Sequence, residues 1–245
     1  MTDVWVGTSG YSHPEWRGTF YPADLPEEQM LRQYAARFPS VELNHTFYRL
    51  PSVRTLHAWA KETPAHFAFT LKAPRHITHE LRLRDAAESV TEFCDTVQVL
   101  KAKLGAILFQ VPPFQKKDLP RLEDFLHQLP PGFRMAMEFR NPSWFADEVL
   151  ECLRRFGIAL CVTDHDEHAT PFEVTGGFVY LRLRRSAYSD EDLAHWVERL
   201  VRAGRDCTTA YVYFKQDEPA RAALLAAKFV ALLQPDATGA VPLQP

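Results

Sequence analysis

Residues 135–140 read Met135-Ala136-Met137-Glu138-Phe139-Arg140, so large apolar side chains alternate with small or charged ones. An alternation of period two predicts a β-strand, because successive side chains of a strand point to opposite faces. In a closed barrel, one face of each strand meets the surrounding helices and the other meets the barrel axis. We therefore expect Glu138 and Arg140 to point towards the axis, near the carboxyl end of their strand.

Eight such β-rich runs are spread along the chain, and segments with helical periodicity lie between most of them. The predicted strands are 4–8, 41–44, 67–72, 106–111, 135–140, 160–164, 179–184 and 210–215. The predicted helices are 27–38, 52–61, 86–103, 119–129, 146–156, 189–203 and 219–233. This alternation is typical of a parallel (β/α)8 barrel. The predicted fold class is therefore α/β, with a single TIM-type barrel over residues 1–235 and a short C-terminal tail at 236–245.

One crossover helix is missing from the pattern. Residues 165–177, between the sixth and seventh strands, have no helical period and contain Pro171, Gly176 and Gly177, which predicts a loop. A doubly wound open sheet is the alternative fold. It is weakened because neither a G-x-G-x-x-G motif nor a P-loop follows the first strand.

Composition excludes several classes of protein. The chain has 245 residues, of which 46% are hydrophobic and 24% charged, and this excludes a disordered or collagen-like chain. No apolar run approaches the ~18 residues of a spanning helix, and the first residues lack a signal-peptide pattern, so we expect a cytoplasmic protein without a membrane partner. The net charge of −3 excludes a uniformly basic surface for nucleic acid.

The side chains that the strand alternation directs towards the barrel axis include many polar ones near the carboxyl ends of the strands. This is the end at which barrel enzymes have their active sites. These polar residues are Glu42, Asn44, Thr70, Lys72, Gln110, Glu138, Arg140, Arg182, Arg184 and Lys215, with Asp164 at the end of the sixth strand. Five of these residues are cations and three are acids, so the mouth is predicted to be positive. Arginine in particular suits phosphate or carboxylate, so the sequence predicts a small anionic ligand.

The loops at this end add aromatic side chains. Tyr11 and Trp16 follow the first strand and are predicted to contact a ligand, because aromatic faces beside cations suit sugars or nucleobases. Phe20, Phe47 and Trp144 are instead expected to anchor their loops.

Glu138 and Lys72 are the candidate catalytic residues. Glu138 paired with Glu42 would suit a glycosidase, and Glu138 beside Arg140 would suit an oriented base. Lys72 could form a Schiff base if its pKa were lowered. Cys161 is disfavoured as a nucleophile because it lies in mid-strand.

The local cluster Asp164-His165-Asp166-Glu167-His168 has residue types that suit a metal, but it is interpreted as a solvated loop, so no metal site and no cofactor are predicted. Two functional classes remain open. The first is an enzyme that acts on a small phosphate- or carboxylate-bearing molecule. The second is a non-catalytic barrel that binds a nucleotide or nucleic acid, with a metal-dependent hydrolase or nuclease as a further alternative.

Several linked motifs resemble the YecE-like family, the TIM-barrel "domain of unknown function seventy-two". They are Gly7-Thr8-Ser9-Gly10-Tyr11 with Trp16 and Phe20-Tyr21-Pro22, Val41-Glu42-Leu43-Asn44-His45-Thr46-Phe47-Tyr48, Phe69-Thr70-Leu71-Lys72 with Ile77-Thr78-His79, Gln110-Val111-Pro112-Pro113, and Glu138-Phe139-Arg140-Asn141-Pro142-Ser143-Trp144. The resemblance implies a barrel and no particular reaction. The chain departs from the family pattern at Arg184-Arg185, where Arg-Leu-His-Gly is usual, and at Lys215-Gln216, where Phe-Asn-Asn is usual.

Overall fold

Eight parallel strands form the barrel wall in the computed structural model, which describes residues 3–205 and 207–233. The strands are β1 (Asp3–Thr8), β2 (Ser40–Leu43), β3 (Ala68–Lys72), β4 (Leu104–Gln110), β5 (Met135–Glu138), β6 (Ala159–Asp164), β7 (Phe178–Leu183) and β8 (Thr209–Phe214). Their hydrogen-bonded order is β1-β8-β7-β6-β5-β4-β3-β2. The predicted (β/α)8 barrel is confirmed, and the predicted tail at 236–245 lies outside the described residues.

In the described part of the chain, seven α-helices surround the wall. They are α1 (Met30–Ala35), α2 (Val53–Glu62), α3 (Ala87–Val97), α4 (Leu119–His127), α5 (Asp147–Phe156), α6 (Asp190–Ala203) and α7 (Arg221–Leu233). Within residues 3–205 and 207–233, no helix is both long and apolar enough to cross a membrane. Residues 165–177, all of them described, form no helix between β6 and β7, as expected from their proline and glycines.

Two helices are shorter than their sequence patterns predict. The first α-helix ends at Ala35, and Phe38 precedes Pro39, a position at which helical backbone is disfavoured. The helix predicted over 86–103 ends at Val97 and continues as a 3₁₀ turn, in which Lys101 has a φ of 52° that an α-helix does not allow.

The lower part of the barrel interior is apolar, and small side chains there pack against large ones. Small side chains project inward from β3, β4, β5 and β6, and large aromatic ones project from β7 and β8 to meet them. The small ones are Ala68, Ala106, Ala136, Ala159 and Cys161, and the large ones are Phe178, Tyr180, Tyr211 and Tyr213. This packed layer closes the axis, so any site must lie above it, at the carboxyl end.

The seam between β1 and β2 lacks a continuous ladder and is closed by a side chain from a helix. The Tyr34 hydroxyl of α1 accepts a hydrogen bond from the Thr8 amide at 2.7 Å and donates one to the Ser40 carbonyl at 2.9 Å. A Cβ atom at Gly7 would collide with the same Ser40 carbonyl, so this position requires glycine. Above this point the strands meet through a single parallel bridge between Ser9 and Glu42.

Removing the Tyr34 hydroxyl should destabilise the barrel. Tyr34→Phe leaves the Thr8 amide and the Ser40 carbonyl buried without this partner, and we expect a loss of about 2–4 kcal/mol in the free energy of unfolding. Tyr48→Phe is the matched control, because Tyr48 is 76% exposed, and it should change stability by less than about 0.5 kcal/mol. Urea unfolding measures both, and equal stability of the two variants would contradict the assigned role of Tyr34.

Candidate functional site

A buried arginine joins two buried carboxylates at the centre of the mouth. The Arg182 guanidinium on β7 donates to Glu42 on β2 at 2.9 Å and to Glu138 on β5 at 2.6 Å. All three side chains are almost completely inaccessible to solvent. Since an unpaired charge in such a place costs several kcal/mol, each member holds the others in position.

Glu42 is surrounded by donors. The hydroxyl of Ser9 donates to it, as do the Asn44 amide at 3.0 Å and the Tyr180 hydroxyl at 2.8 Å. Burial alone would raise the pKa of Glu42, but Arg182 and these hydrogen bonds lower the pKa below its usual value. Glu42 is therefore ionised, and its oxygens are occupied.

Glu138 is held in the same way. The Gln110 amide donates to both of its oxygens at 2.9 Å, and Arg140 donates to one at 3.0 Å. Burial would raise the pKa of Glu138, but Arg182 and then Arg140 hold the pKa well below its usual range. The pair of glutamates therefore lacks the protonated acid that a glycosidase requires.

Lys72 lies beside this cluster without touching a carboxylate. Its ammonium donates to the Gln110 side-chain oxygen at 2.7 Å and lies 3.8 Å from the centre of the Phe47 ring. Burial lowers the pKa of Lys72, and Arg182 lowers it further, to about 8. Phe47 is thus both the expected loop anchor and a wall of the lysine site.

Two cations at the rim have no partner. Arg184 at the end of β7 is half-buried, and Lys215 at the end of β8 is exposed. Neither side chain makes a hydrogen bond or an ion pair within the described part of the chain. Together with the outer end of Arg140, which is 28% exposed, they give the mouth a positive rim.

The structure places Asp164 differently from the prediction. Thr163 takes the inward position on β6, so Asp164 turns outward, where it accepts a hydrogen bond from Trp196 of α6 at 3.1 Å and pairs with Arg185 at 3.1 Å. The expectation that Asp164 contacts the ligand at the axis is therefore not supported by its position. Five cations face two carboxylates at the mouth, which is a larger positive excess than the sequence predicted.

Tyr11 and Trp16 also lie away from the axis. Trp16 is buried among aromatic rings of its own loop, at 5.5 Å from the ring centre of Phe20 and 6.0 Å from that of Tyr21. Tyr11 packs against α2, where its hydroxyl meets Trp59. Both residues stabilise the loop after β1, because large aromatic side chains there find more burial against the helices than at the wet mouth.

Sequence reasoning missed three contacts of the mouth. Ser9 and Tyr180 bond Glu42, and both share the inward parity of their strands, which was the signal available. The third is His79. It projects from a π-helical turn over 76–80 and packs on Phe47 at 4.9 Å between ring centres. Burial, Lys72 and Arg140 lower the pKa of His79 to about 4, so this imidazole is neutral.

Among the residues that the structure describes, one group of side chains could hold a metal ion. The ligand atoms of His165, Glu167 and His168 in the β6–β7 loop all lie within 4.8 Å of one another. Burial lowers the pKa of His168, and the neighbouring His165 and Arg140 lower it further. No carboxylate of the barrel strands joins this group, since Glu42 and Glu138 are occupied by Arg182.

Arg182→Ala should destabilise the fold far more than Arg140→Ala. The first substitution leaves two buried carboxylates short of their shared cation, and we expect a loss of about 3–5 kcal/mol. After the second substitution Glu138 still keeps Arg182 and Gln110, so the loss should stay below about 2 kcal/mol. Guanidinium chloride unfolding of both variants at pH 7 measures the difference, and a smaller loss for Arg182→Ala would contradict the central position of this residue.

The chain matches a known protein family over nearly all of its length. A family model described as "Protein of unknown function DUF72" matches residues 5–245. The UPF0759 protein YecE of Escherichia coli K12 is 33% identical over 144 residues, which are 58% of this chain and 50% of the relative, so the chain matches about half the length of that protein. The UPF0759 protein YunF of Bacillus subtilis is 25% identical over an alignment that covers 98% of each chain.

Solved structures show the same barrel. The DUF72 family protein TM1631 of Thermotoga maritima has a TM-score of 0.83 and 30% identity, covering 95% of this chain and 99% of that one. The DUF72 family protein EF0366 of Enterococcus faecalis has a TM-score of 0.78 and 21% identity, and likewise shares the fold. Since the family model spans nearly the whole chain and agrees with the sequence resemblance and the barrel, this chain belongs to the DUF72 family.

Proposed function

We propose that the mouth of the barrel binds a small molecule carrying a phosphate or carboxylate group. The observation that carries this proposal is the pair of unpartnered cations, Arg184 and Lys215, at the ends of two neighbouring strands. Two adjacent cations without a salt-bridge partner repel each other, and an anion between them would offset that repulsion.

The acids of the mouth do not neutralise this pair. Arg182 already saturates Glu42 and Glu138, and Arg140 shares Glu138. Desolvation and then Arg182 lower the pKa of Arg184, and desolvation and then Arg184 lower that of Lys215. Burial is the larger cause of both shifts, and the neighbouring cations are the next cause. The positive potential of those cations favours a bound anion.

The two departures from the family pattern contribute unequally to this charge. Arg184 and Lys215 are the free cations, whereas Arg185 pairs with Asp164 and with Asp192, the latter at 2.8 Å. Gln216 donates to the backbone carbonyl of Leu183 at 3.0 Å. Of the residues that depart from the family pattern, the charge available to a ligand therefore belongs to Arg184 directly after β7 and Lys215 directly after β8.

This neighbourhood also suits an anion by its place in the fold. Many barrels of this type hold a phosphate near the loops after the seventh and eighth strands. In this chain the side chains of Arg184 and Lys215 would supply the contacts. A guanidinium can hold phosphate or carboxylate through two parallel hydrogen bonds, and an ammonium adds a point charge.

Binding should appear as thermal stabilisation. A ligand at about 100 times its dissociation constant adds ~2.7 kcal/mol to stability, which for a chain of this length corresponds to roughly 5–10 °C in Tm. We expect such a shift with at least one of phosphate, sugar phosphates, nucleotides and small carboxylates, tested at fixed ionic strength so that screening stays constant.

The double variant Arg184→Gln with Lys215→Gln should lose the shift. The matched control, Lys61→Gln with Lys101→Gln, removes the same charge from two exposed lysines outside the mouth and should keep it. No shift in the unmodified protein with any of these anions at millimolar concentration, or an equal loss in both double variants, would refute an anion site at the mouth.

A further inference from the structure

We propose that Lys72 is a carbonyl-reactive amine that forms an imine with an aldehyde or ketone carried by the anion bound at the mouth. This inference rests on the proposed anion site and adds a substrate class, an anionic carbonyl compound, and a catalytic residue. It depends on the surroundings of the Lys72 side chain, which differ from those of the other buried or paired lysines.

The position of Lys72 gives it access to a ligand without an acidic partner. The residue ends β3 at the mouth and retains 8% of its surface exposed. Its hydrogen-bond partner is the neutral oxygen of Gln110, and the amide of the same Gln110 donates to Glu138. Gln110 thus separates the lysine from the carboxylate that would otherwise hold it as an ammonium ion.

Two other lysines of the chain have backbone carbonyls or a carboxylate as partners. Lys103 donates to the backbone carbonyls of Ala60 and Thr63 and to the Thr63 hydroxyl. Lys117 pairs with Glu148. Lys72 has one such acceptor and an aromatic face, so two of its three ammonium hydrogens lack an oxygen partner among the described residues.

The electrostatic surroundings favour the neutral amine. Burial lowers the pKa of Lys72, and Arg182 opposes its charge, so the pKa is about 8. In about a tenth of the molecules the Lys72 amine is then neutral at pH 7, whereas for an ordinary lysine the neutral fraction is less than a thousandth. A neutral amine is the nucleophile that attacks a carbonyl, and desolvation beside other cations is a known way to produce one.

The reaction balances with one proton from solvent. The Lys72 nitrogen attacks the carbonyl carbon, a C–N bond forms, and the carbonyl π electrons move to the oxygen, which takes a proton from the attacking nitrogen. The hydroxyl of the resulting carbinolamine then takes a proton from solvent and leaves as water as its C–O bond breaks, and the nitrogen lone pair forms a protonated C=N bond. This iminium would keep one positive charge beside Gln110, whose side-chain oxygen already accepts a hydrogen bond from the nitrogen.

Reductive trapping tests the inference. Pyridoxal 5′-phosphate carries both an aldehyde and a phosphate, and borohydride converts its imine into a stable secondary amine that peptide mass spectrometry locates. At pH 7 we expect Lys72 to be modified at least about tenfold faster than the exposed Lys61, and the modification rate to rise with pH and level off above about pH 8. Lys72→Met and Lys72→Arg should lose this adduct, with circular dichroism confirming the fold.

The phosphate group of the probe provides a test that a merely structural lysine would not pass. Pyridoxal without the phosphate should modify Lys72 much more slowly than the phosphate form. The variant Arg184→Gln with Lys215→Gln should remove that preference.

The outcomes separate this inference from the proposed function. If phosphate stabilises the protein through Arg184 and Lys215 but Lys72 is modified no faster than Lys61, the imine proposal is wrong and the anion site stands. If Lys72 is modified equally fast by both aldehydes, the anion does not direct the carbonyl to this lysine. That result would overturn the proposal as well.

Discussion

A single buried guanidinium sets the constraint on which the mouth of this barrel depends. Because Arg182 is buried, water cannot solvate its charge, and the guanidinium must keep both Glu42 and Glu138 within hydrogen-bond distance. These three residues come from β7, β2 and β5, and their contact fixes strands that are far apart in sequence. The other polar contacts of the interior, from Ser9, Tyr180 and Gln110, complete this arrangement.

The interior is divided into three layers along the axis, and each layer has a different physical role. The lowest is apolar and closes the barrel, with alanines meeting aromatic rings. The middle one is the saturated charge cluster, whose carboxylates are ionised and occupied. The upper one holds the cations that make no salt bridge, Lys72, Arg184 and Lys215, and among the described residues these can donate hydrogen bonds to a ligand. The chemistry open to the site is therefore that of cations and an amine rather than that of an acid.

Part of this arrangement could be predicted from the sequence alone. Strand alternation correctly placed Glu42, Lys72, Gln110, Glu138 and Arg182 on one inner face, because the direction of a side chain along a strand has period two and is a local property. The same alternation could not decide which way the Asp164 side chain points. A shift of one residue in the register at a strand end moves a side chain to the other face of the sheet. The structure turns it outward to Trp196 and Arg185.

The sequence by itself thus determined the barrel, the polar mouth and its excess of cations, through periodicity and charge that are carried by each segment separately. The tertiary structure decided which charges neutralise one another. Only the closed barrel shows that Glu42 and Glu138 share Arg182 and that Gln110 lies between Lys72 and Glu138. It also shows that Arg184 has no hydrogen-bond or salt-bridge partner among the described residues. It also shows that Tyr34 fills the gap between β1 and β2, while Tyr11 and Trp16 turn to the helices. These pairings join residues many positions apart, and their energies depend on burial and distance, which exist only once the strands have closed.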